Sequence, residues 1–349
     1  MTCIAFTGGG TAGHYAPNYA IIPLIKGDFD KICYIGGKNG AEKTAAEKNG
    51  IDYYGVTTAK LIRSITLKNF FIPFKLLKGI SEAKKILKSL SPNLVFSKGG
   101  FVALPVVLAA HSLKIPVISH ESDLSIGLAN RIASRYSKAV LTSFKETAEK
   151  LPNAHYTGTP LREELFKPRE KAAILKKFGF SGNKKVLLIT GGSQGSGAIN
   201  EAVVKSAPML VKDYDILHLC GKGKTSGIRL NGYKQIEFAE DMGEVYAACD
   251  LAVSRAGANT LFELVALKIP TLAVPLPKGN SRGDQVENAQ YFKDNGLIGV
   301  LMEEDLTPQT LVSALKDLEK KRTEIIKACS ATDYRRSAKT IANYIKSYK

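Results

Sequence analysis

Residues 2–14, TCIAFTGGGTAGH, and residues 185–197, KVLLITGGSQGSG, each join a short apolar run to a cluster of glycines. A stretch compatible with a helix follows each cluster, and a third cluster, SKGG at 97–100, follows another apolar run. Glycines let backbone N–H groups approach an anion at the start of a helix, where unsatisfied donors and the helix dipole favour negative charge. The two stretches therefore predict two βα units that begin with anion-binding loops. The alternative is that the glycines only make tight turns.

Apolar runs alternate with amphipathic segments along the chain, a pattern typical of βα units with a buried parallel sheet. In the first half the runs are TCIAFT at 2–7, KICYIG at 31–36, NLVFS at 93–97, PVISH at 116–120 and KAVLTS at 138–143. After a charged stretch that contains proline, the pattern restarts with KKVLLIT, DILHLC, DLAVSR and PTLAVP. We predict an α/β protein with domains at 1–160 and 161–332, and we expect a helix at 333–349 to pack back on the first domain.

Composition and charge exclude several classes of protein. A length of 349 residues, 44% of them hydrophobic, predicts two domains that each bury a core, and it excludes a disordered or fibrous chain. Lys and Arg number 49 against 32 Asp and Glu, which gives a formal net charge of +17. The expected partners are therefore anionic: phosphorylated small molecules, nucleic acid or an acidic membrane surface.

Cysteine spacing and hydropathy bear on the compartment. The five cysteines are far apart and form no Cys-x-x-Cys motif, so neither a disulfide framework nor a zinc site is indicated. This pattern favours a reducing, cytoplasmic compartment. No apolar run reaches the ~18 residues of a spanning helix, and the N-terminal region lacks the pattern of a signal peptide. We therefore expect any membrane contact to be peripheral.

Three common nucleotide or metal motifs fail when their full spacing is tested. GGGTAG at 8–13 satisfies G-x-G-x-x-G, but the second strand ends in YIGG at 34–37, where a dinucleotide site needs an acidic residue. GKT at 223–225 lacks the earlier glycine of a Walker A motif, because His218 occupies that place. DYD at 213–215 precedes a strand, which is the wrong end of a βα unit for a metal site. We expect no cofactor, with a dinucleotide as the minor alternative, and a solvated turn is favoured over a metal site at 213–215. The lack of a recognition motif argues against nucleic acid as a partner.

Six sequence blocks, spread over nearly the whole chain, resemble the MurG family in content and order. They are TGGGTAGHYAPN, SKGGFVALP, HESDLSIGLANR, TGGSQGSGAIN, SRAGANTLFEL and DQVENA. The resemblance implies an α/β GT-B fold, in which two Rossmann-like domains have parallel sheets that face a central cleft. It also implies an inverting, metal-independent hexosyltransferase that moves N-acetylglucosamine (GlcNAc) from UDP-GlcNAc to the C4 hydroxyl of MurNAc in lipid I, undecaprenyl-pyrophosphoryl-MurNAc-pentapeptide.

The implied product is lipid II, which places the enzyme in peptidoglycan synthesis, cell-wall biogenesis, cell shape and cell division. The implied location is the cytoplasmic face of the bacterial cell membrane, where the protein would be peripheral. The first domain would bind the acceptor and the second the donor. The alternative is a related GT-B glycosyltransferase that acts on another lipid acceptor such as diacylglycerol. Such an enzyme would share the glycine loops but not the block HESDLSIGLAN.

The second half carries groups suited to a UDP-sugar. The loops at 191–197 and 256–259 can offer backbone N–H groups to a diphosphate, and Ser193 adds a hydroxyl. Glu263 is placed to accept both hydroxyls of a ribose, or it only complements the dipole of its helix. Gln285 shares a helix face with Asn288, and both offer amides to sugar hydroxyls.

The resemblance assigns further roles. It implies that Glu263 holds the ribose, that Gln285 contacts the GlcNAc ring and that Ala239 meets uracil through its backbone. Arg162 matches the family's donor-binding arginine, although alone it would be taken for a surface charge. The other residues expected at UDP-GlcNAc are Thr11, Ala12, Gly13, Asp123, Ser193, Ala258, Asn259, Thr260, Leu261, Phe262 and Asn288. Ala12 replaces a family glycine and Asp123 replaces an asparagine, so the polarity of the Asp123 contact stays open.

An inverting transfer needs a base that removes the proton of the attacking hydroxyl. His14 closes the first glycine loop and is the leading candidate, the alternative being that it caps a helix that starts nearby. Glu121 is the second candidate, the alternative being that it orients His120 or anchors its own loop. The glycines expected in the loops at the acceptor and its diphosphate are Gly8, Gly9, Gly10, Gly99 and Gly100.

Residues 60–88 carry eight basic residues and one acid, Glu82, beside an aromatic cluster. A surface that rests on anionic lipid needs both cations and apolar side chains. We predict a membrane-facing surface composed of Phe70, Phe71, Phe74, Lys68, Lys75, Arg131 and Arg135. The aromatic cluster is expected in a loop-like stretch before a helix at about 74–89. The alternative for that helix is that its Leu and Ile pack inward and its lysines are merely solvated.

Overall fold

A computed structural model describes residues 2–59, 70–279 and 282–348. The chain divides into two compact units. The first comprises Met1–Arg162 together with Arg335–Lys349, and the second comprises Glu163–Tyr334.

The first unit is built on parallel strands that run under helices on both faces. Its described strands are β1 (Cys3–Thr7), β2 (Lys31–Gly37), β3 (Asp52–Val56), β4 (Leu94–Ser97), β5 (Val117–Glu121), β6 (Ala139–Thr142) and β7 (Ala154–Tyr156). They form one sheet in the order β3-β2-β1-β4-β5-β6-β7. The helices are α1 (Ala12–Tyr15), α2 (Asn18–Ile25), α3 (Ala41–Lys48), α4 (Ile72–Leu90), α5 (Ala103–Ser112), α6 (Leu128–Ser134) and α7 (Lys145–Ala148).

Alternate side chains of β1 enter different layers of the core, because successive residues of a strand point to opposite faces. Ile4 and Phe6 pack with Ile21 and Ile25 of α2. On the other face, Cys3 and Ala5 pack with residues of α4 and α5, namely Ala83, Leu87, Val106 and Val107. All five residues of β1 are buried, as expected for a strand in the middle of a parallel sheet.

The end of the chain also belongs to the first unit. Its last helix, which we number α15 (Ser337–Lys346) because seven helices of the second unit precede it, packs Ile341 and Ile345 into the α2 face of the core. Lys346 pairs with Asp28 at 2.9 Å.

The second unit repeats the same architecture with other side chains. Its described strands are β8 (Lys185–Thr190), β9 (Tyr214–Leu219), β10 (Tyr233–Ile236), β11 (Leu251–Ser254), β12 (Thr271–Ala273) and β13 (Gly299–Val300), which lie parallel in the order β10-β9-β8-β11-β12-β13. The helices are α8 (Lys171–Phe178), α9 (Gly197–Leu210), α10 (Met242–Ala248), α11 (Ala258–Ala266), α12 (Asp284–Asp294), α13 (Pro308–Lys320) and α14 (Arg322–Ser330). The prediction of an α/β protein with parallel sheets is confirmed.

Two further observations concern the whole chain. All five cysteines are buried as free thiols. Among the described residues, every helix is too short or too polar to cross a lipid bilayer.

Candidate active site

In the first unit, three loops meet at the carboxyl edge of the sheet, where α/β proteins usually bind their ligands. They follow the neighbouring strands β1, β4 and β5 and comprise residues 8–11, 98–101 and 122–127. The N–H of Lys98 donates to the carbonyl of Thr7 at 2.9 Å, which joins the start of the second loop to the end of β1.

Glycines let the first two loops pack closely against each other. Gly100 has a φ of +77°, and a Cβ there would collide with the carbonyl oxygen of Gly9 and lie 3.0 Å from Cδ2 of His14. A Cβ on Gly9 would lie 2.6 Å from the buried carboxylate of Glu42. The glycines in these loops are therefore explained by close internal contacts as well as by any anion that they bind.

His14 lies in the single turn of α1 with its ring against Gly100. The N-cap residues of α1 and α2 are Thr11 and Pro17, so His14 is not the cap of either helix. The contact with Gly100 holds the imidazole beside both glycine loops, at the edge where a substrate would bind.

Glu121 ends β5, and its buried carboxylate accepts hydrogen bonds from the loop that follows it and from α6. The donors are the N–H groups of Ser122 at 2.8 Å, Asp123 at 3.0 Å and Gly127 at 3.2 Å, and Nδ2 of Asn130 at 2.8 Å. This arrangement favours the interpretation that Glu121 anchors the loop. His120 is bonded elsewhere, because its Nε2 donates to the carbonyl of Gly158 at 3.0 Å.

In the second unit, the glycine loop after β8 packs on the loop after β9. A Cβ on Gly195 would collide with the carbonyl oxygen of Cys220, and one on Gly221 would lie 2.6 Å from the carbonyl oxygen of Gln194. Nζ of Lys224 donates to that same Gln194 oxygen at 2.8 Å. The lysine of the GKT sequence therefore holds this loop, while Ser193 is exposed on it.

Arg255, which the sequence analysis did not single out, joins the ends of four strands. It directly follows β11, and its guanidinium donates to Oγ of Ser196 at 2.6 Å. It also donates to the carbonyls of Val274 at 3.2 Å and Pro275 at 3.4 Å, after β12, and pairs with Glu303, beyond β13. The only signal in the sequence was a basic residue directly after an apolar strand, which does not reveal these acceptors.

Glu263 is half-buried on α11, the helix that begins just after this loop. The hydroxyl of Tyr246 donates to Oε2 of Glu263 at 2.8 Å, which orients the carboxylate. Ala258 is buried, while Asn259 and Thr260 are half-buried in the first turn. The side chains of Leu261 and Phe262 lie in the core, where Phe262 packs edge-on against Phe292 at 5.0 Å. Any contact of these two residues with a ligand would involve their backbone.

The two amides predicted on α12 face the neighbouring loops. Oε1 of Gln285 accepts the N–H of Leu276 at 3.0 Å. Asn288 is buried and its Nδ2 donates to the carbonyl of Ala256 at 3.4 Å, so its amide tethers the loop before α11. Asn288 therefore supports the site from behind.

Two further predicted donor residues lie outside these loops. Ala239 is buried in the segment after β10, beside the exposed ring of Phe238. Arg162 is half-buried and is the last residue of the first unit before the second begins. Among the described residues, no three His, Cys, Asp or Glu side chains are grouped as metal ligands.

The chain is similar to known glycosyltransferases along nearly its whole length. Residues 4–142 match the glycosyltransferase family 28 N-terminal domain, and residues 186–345 match the glycosyltransferase family 28 C-terminal domain. The chain is 45% identical over 348 residues to the UDP-N-acetylglucosamine--N-acetylmuramyl-(pentapeptide) pyrophosphoryl-undecaprenol N-acetylglucosamine transferase of Clostridium perfringens, covering 98% of this chain and 97% of that protein. The enzyme of the same name from Clostridium botulinum is 45% identical and covers 100% of this chain and 99% of its own. The chain belongs to the MurG family.

Solved structures agree with this assignment. The crystal structure of MurG from Acinetobacter baumannii superposes with a TM-score of 0.75 at 25% identity, covering 99% of this chain and all of that one. The glycosyltransferase of kitacinnamycin has the same fold, with a TM-score of 0.76 at 15% identity, covering 99% of this chain and 98% of that one. The predictions of the MurG family, of a glycosyltransferase and of a GT-B fold with two Rossmann-like units are confirmed.

The surface expected to meet a membrane in this MurG-family chain is exposed where it is described. The side chains of Phe70, Phe71, Phe74 and Leu77 are 57–71% exposed, and Phe70 packs edge-on against Phe71 at 5.8 Å. Lys75, Arg131 and Arg135 are exposed as well. Lys68 lies outside the described residues.

One expectation about this surface is wrong. The stretch predicted to be loop-like up to residue 74 is largely helical, because Phe70 is helical and α4 begins at Ile72 and includes Phe74. Pro73 lies in the first turn of the helix, where its missing N–H has no intrahelical partner to lose, so it begins the helix instead of ending it. The inward face of α4 buries Gly79, Ala83 and Leu87, which leaves the aromatic rings at its start on the outside.

Proposed function

We propose that this protein transfers GlcNAc from UDP-GlcNAc to the C4 hydroxyl of MurNAc in undecaprenyl-pyrophosphoryl-MurNAc-pentapeptide, with inversion at the anomeric carbon. The observation that carries the proposal is the 45% identity, over 97% or more of both chains, to transferases named for this donor and acceptor. The matched length includes the loops at both sheet edges.

In the first unit, His14 acts as the base on the acceptor. It removes the proton of the C4 hydroxyl while that oxygen attacks C1 of GlcNAc. The bond from C1 to the β-phosphate oxygen then breaks and UDP leaves with the electron pair. His14 is preferred because its ring lies against Gly100 at the carboxyl edge, whereas the carboxylate of Glu121 already accepts four N–H groups from its loop region.

In the second unit, the donor is held along the carboxyl edge of the sheet. The loop at 191–197, with Ser193 exposed on it, offers donors to the diphosphate, whose charge grows as UDP leaves. Glu263 accepts the ribose hydroxyls from the orientation that Tyr246 gives it. The backbone at Ala239 meets uracil, and the exposed ring of Phe238 beside it offers an apolar face for the base. The amide of Gln285 faces the sugar, and no metal is required.

The protein works at the cytoplasmic face of the membrane and binds it peripherally. Support comes from the exposed rings of Phe70, Phe71 and Phe74 next to Lys75, a combination of apolar and basic groups that suits anionic lipid. Isolated apolar side chains are common on protein surfaces, but a cluster of this kind marks an interaction site.

The test is a transfer assay with radiolabelled UDP-GlcNAc and a lipid I analogue. Label should enter the lipid product, UDP-glucose and UDP-GalNAc should be poor donors, and a chelator such as EDTA should leave the rate unchanged. Diacylglycerol is the control acceptor. Transfer to diacylglycerol but not to the lipid I analogue would reject the proposed acceptor, and loss of activity with EDTA that Mg²⁺ restores would reject metal independence.

A further inference from the structure

Lys98 is a buried cation at the centre of the first unit that the reaction described above does not use. It follows β4, between the loops of β1 and β5, and only 1% of its surface is exposed. In the sheet, β2 and β3 lie on one side of β1, and β4 to β7 lie on the other side. The strand order therefore reverses between β1 and β4, and their carboxyl ends form the topological switch point of the sheet. Ligands of open α/β sheets bind at such points.

Lys98 connects three strand ends through its own atoms. Its backbone N–H donates to Thr7 at the end of β1. Its Nζ reaches in the other direction and donates to Oγ of Ser122, the first residue after β5. Ser122 is also the residue whose N–H binds the carboxylate of Glu121 at 2.8 Å. One lysine therefore attaches the loop at 122–127 to the middle of the sheet.

The titratable groups around Lys98 lie mainly on the side of β5. β5 and its loop bring the carboxylates of Glu121 and Asp123 and the imidazole of His120, whereas the adjoining Thr7 and Gly8 do not titrate. His14 lies at the next loop against Gly100, and the neutral Asn130 lies against Gly99. Buried charges are tolerated when they are paired and hydrogen-bonded, and the cation of Lys98 counters the buried anion of Glu121.

We propose that Lys98 is a positioning residue of the transfer reaction, whose protonated side chain holds the loop at 122–127 in place through Ser122. The inference rests on the proposed function, in which His14 acts at the same edge of the sheet where this loop lies. Lys98 is too buried to touch substrate, so it acts through Ser122 and, along the chain, through Asp123.

The protonation of Lys98 changes within an accessible pH range. Burial lowers the pKa of Lys98 to about 8, although the charges of Glu121 and Asp123 raise it. Burial, and next the charge of Lys98, hold the pKa of His120 well below its ordinary value. Above about pH 8 the ammonium loses its proton, and a charge-assisted hydrogen bond becomes a weaker neutral one. Activity should therefore fall on the alkaline side as Lys98 titrates.

The experiment compares the wild type with Lys98→Met, which keeps the length of the side chain without its charge, and with Ser122→Ala. Lys48→Met, at an exposed lysine of α3, is the matched control. The quantity measured is kcat/KM for the lipid I analogue from about pH 6 to about pH 9.5. We expect Lys98→Met to lower kcat/KM about tenfold at neutral pH and to abolish the alkaline fall. Ser122→Ala should also lower kcat/KM at neutral pH and flatten the alkaline fall, because it removes the hydroxyl through which Lys98 holds the loop.

Two further readouts separate positioning from a general defect. Affinity for UDP, measured by calorimetry, should change less than about twofold in both variants, because the other unit binds the nucleotide. Hydrogen exchange of residues 122–127 at neutral pH should become faster in Lys98→Met and Ser122→Ala but not in Lys48→Met. This exchange needs no turnover, so it tests the contact even if the wild type fails to use the lipid acceptor, which would reject the proposed function instead.

An alkaline fall that persists unchanged in Lys98→Met, or loop exchange equal to that of the wild type, would overturn the inference. A parallel loss of UDP affinity would also overturn it, because the effect would then not be confined to the loop. If Lys98→Met does not fold, the flattened profile and faster exchange of Ser122→Ala decide the question. The role of His14 stays separable, because a base is inactivated by protonation on the acidic side of the profile.

Discussion

At the scale of single residues, the proposed base is tested most directly. Replacing His14 with Ala should lower kcat by at least ~100-fold, because the C4 hydroxyl would lose the group that takes its proton. Affinity for UDP should stay within about twofold of the wild type, since His14 lies in the other unit from the loops proposed to hold the nucleotide. Turnover with a lipid I analogue and calorimetry with UDP measure the two quantities.

His111→Ala is the matched control for the His14 variant, because His111 is an exposed histidine in the same unit. It should leave kcat unchanged. A His14→Ala variant that keeps the wild-type kcat and raises only the KM of the acceptor would remove His14 from the role of base.

Glu263 gives a second test at this scale. Glu263→Ala should raise the KM for UDP-GlcNAc by between about tenfold and a hundredfold, because a hydrogen bond to a charged acceptor contributes about 1.5–3 kcal/mol. UDP affinity should fall with it. Tyr246→Phe should have a smaller effect in the same direction, since it removes only the bond at 2.8 Å that orients the carboxylate.

A UDP analogue without the two ribose hydroxyls provides the control for Glu263. It should bind to the wild type and to Glu263→Ala with similar affinity, because the contact that distinguishes them is missing from the ligand. If this analogue separates the two proteins as strongly as UDP-GlcNAc does, Glu263 does not hold the ribose.

The sequence indicated residues whose chemistry is local and missed those defined by distant partners. His14 and Glu263 stand at predictable places, directly after a glycine loop and in the first turns of a helix. Arg255 and Lys98 act through Ser196, Glu303 and Ser122, which follow other strands and are far away in the chain. Which acceptor a basic side chain meets depends on the order of strands in the sheet, and one sequence does not specify that order.

At the scale of elements, the start of α4 and the aromatic rings just before it form the proposed membrane contact. Replacing Phe70, Phe71 and Phe74 with Ser and Lys75 with Gln should release the protein from anionic vesicles while UDP affinity is kept. Each cation near the surface contributes about 1 kcal/mol to binding of anionic lipid, and the rings add apolar contact area. Cosedimentation with anionic and with zwitterionic vesicles, at low and at high salt, measures the effect.

The control variant removes charges from α4 but keeps the aromatic rings. Lys85→Gln with Lys88→Gln takes two exposed cations from the other end of α4 and should weaken binding much less. Binding of the wild type should fall as salt rises and should be weaker on zwitterionic vesicles. Cosedimentation that neither the aromatic variant nor salt changes would show that this surface is not where the protein docks.

The elements themselves were largely predictable, because the strands are apolar runs that lie between helices on both faces. The start of α4 was not, since a proline next to aromatic residues is compatible with a loop and with a first helical turn alike. Packing decides between them: with Gly79, Ala83 and Leu87 facing the core, extending the helix back to Ile72 adds hydrogen-bonded turns at no steric cost from Pro73.

At the scale of the whole molecule, two parallel sheets follow from the repeated alternation of strand and helix, since parallel strands require crossovers of this kind. The proposed division of labour between the units does not follow from that pattern. It depends on which polar groups each edge presents: His14 and Lys98 on one sheet, Glu263 and Arg255 on the other. Similar folds with different edges serve different reactions, so function has to be argued from those groups.

The last helix links the two ends of the chain in one core, which makes a prediction about stability. Ile341 of α15 is fully buried against residues of α2 and β1, although the entire second unit lies between them in the sequence. Ile341→Ala should lower the free energy of unfolding of the first unit by roughly 2–5 kcal/mol, because it leaves a cavity in a packed core. Hydrogen exchange should then quicken in β1 and β4 but not in β8 and β11, whose core does not include α15. Lys339→Ala, an exposed change in the same helix, should leave both units unaffected. Equal loss of protection in the two sheets would mean that α15 does not stabilise the first unit specifically, and unchanged protection in both would mean that the core of that unit forms without it.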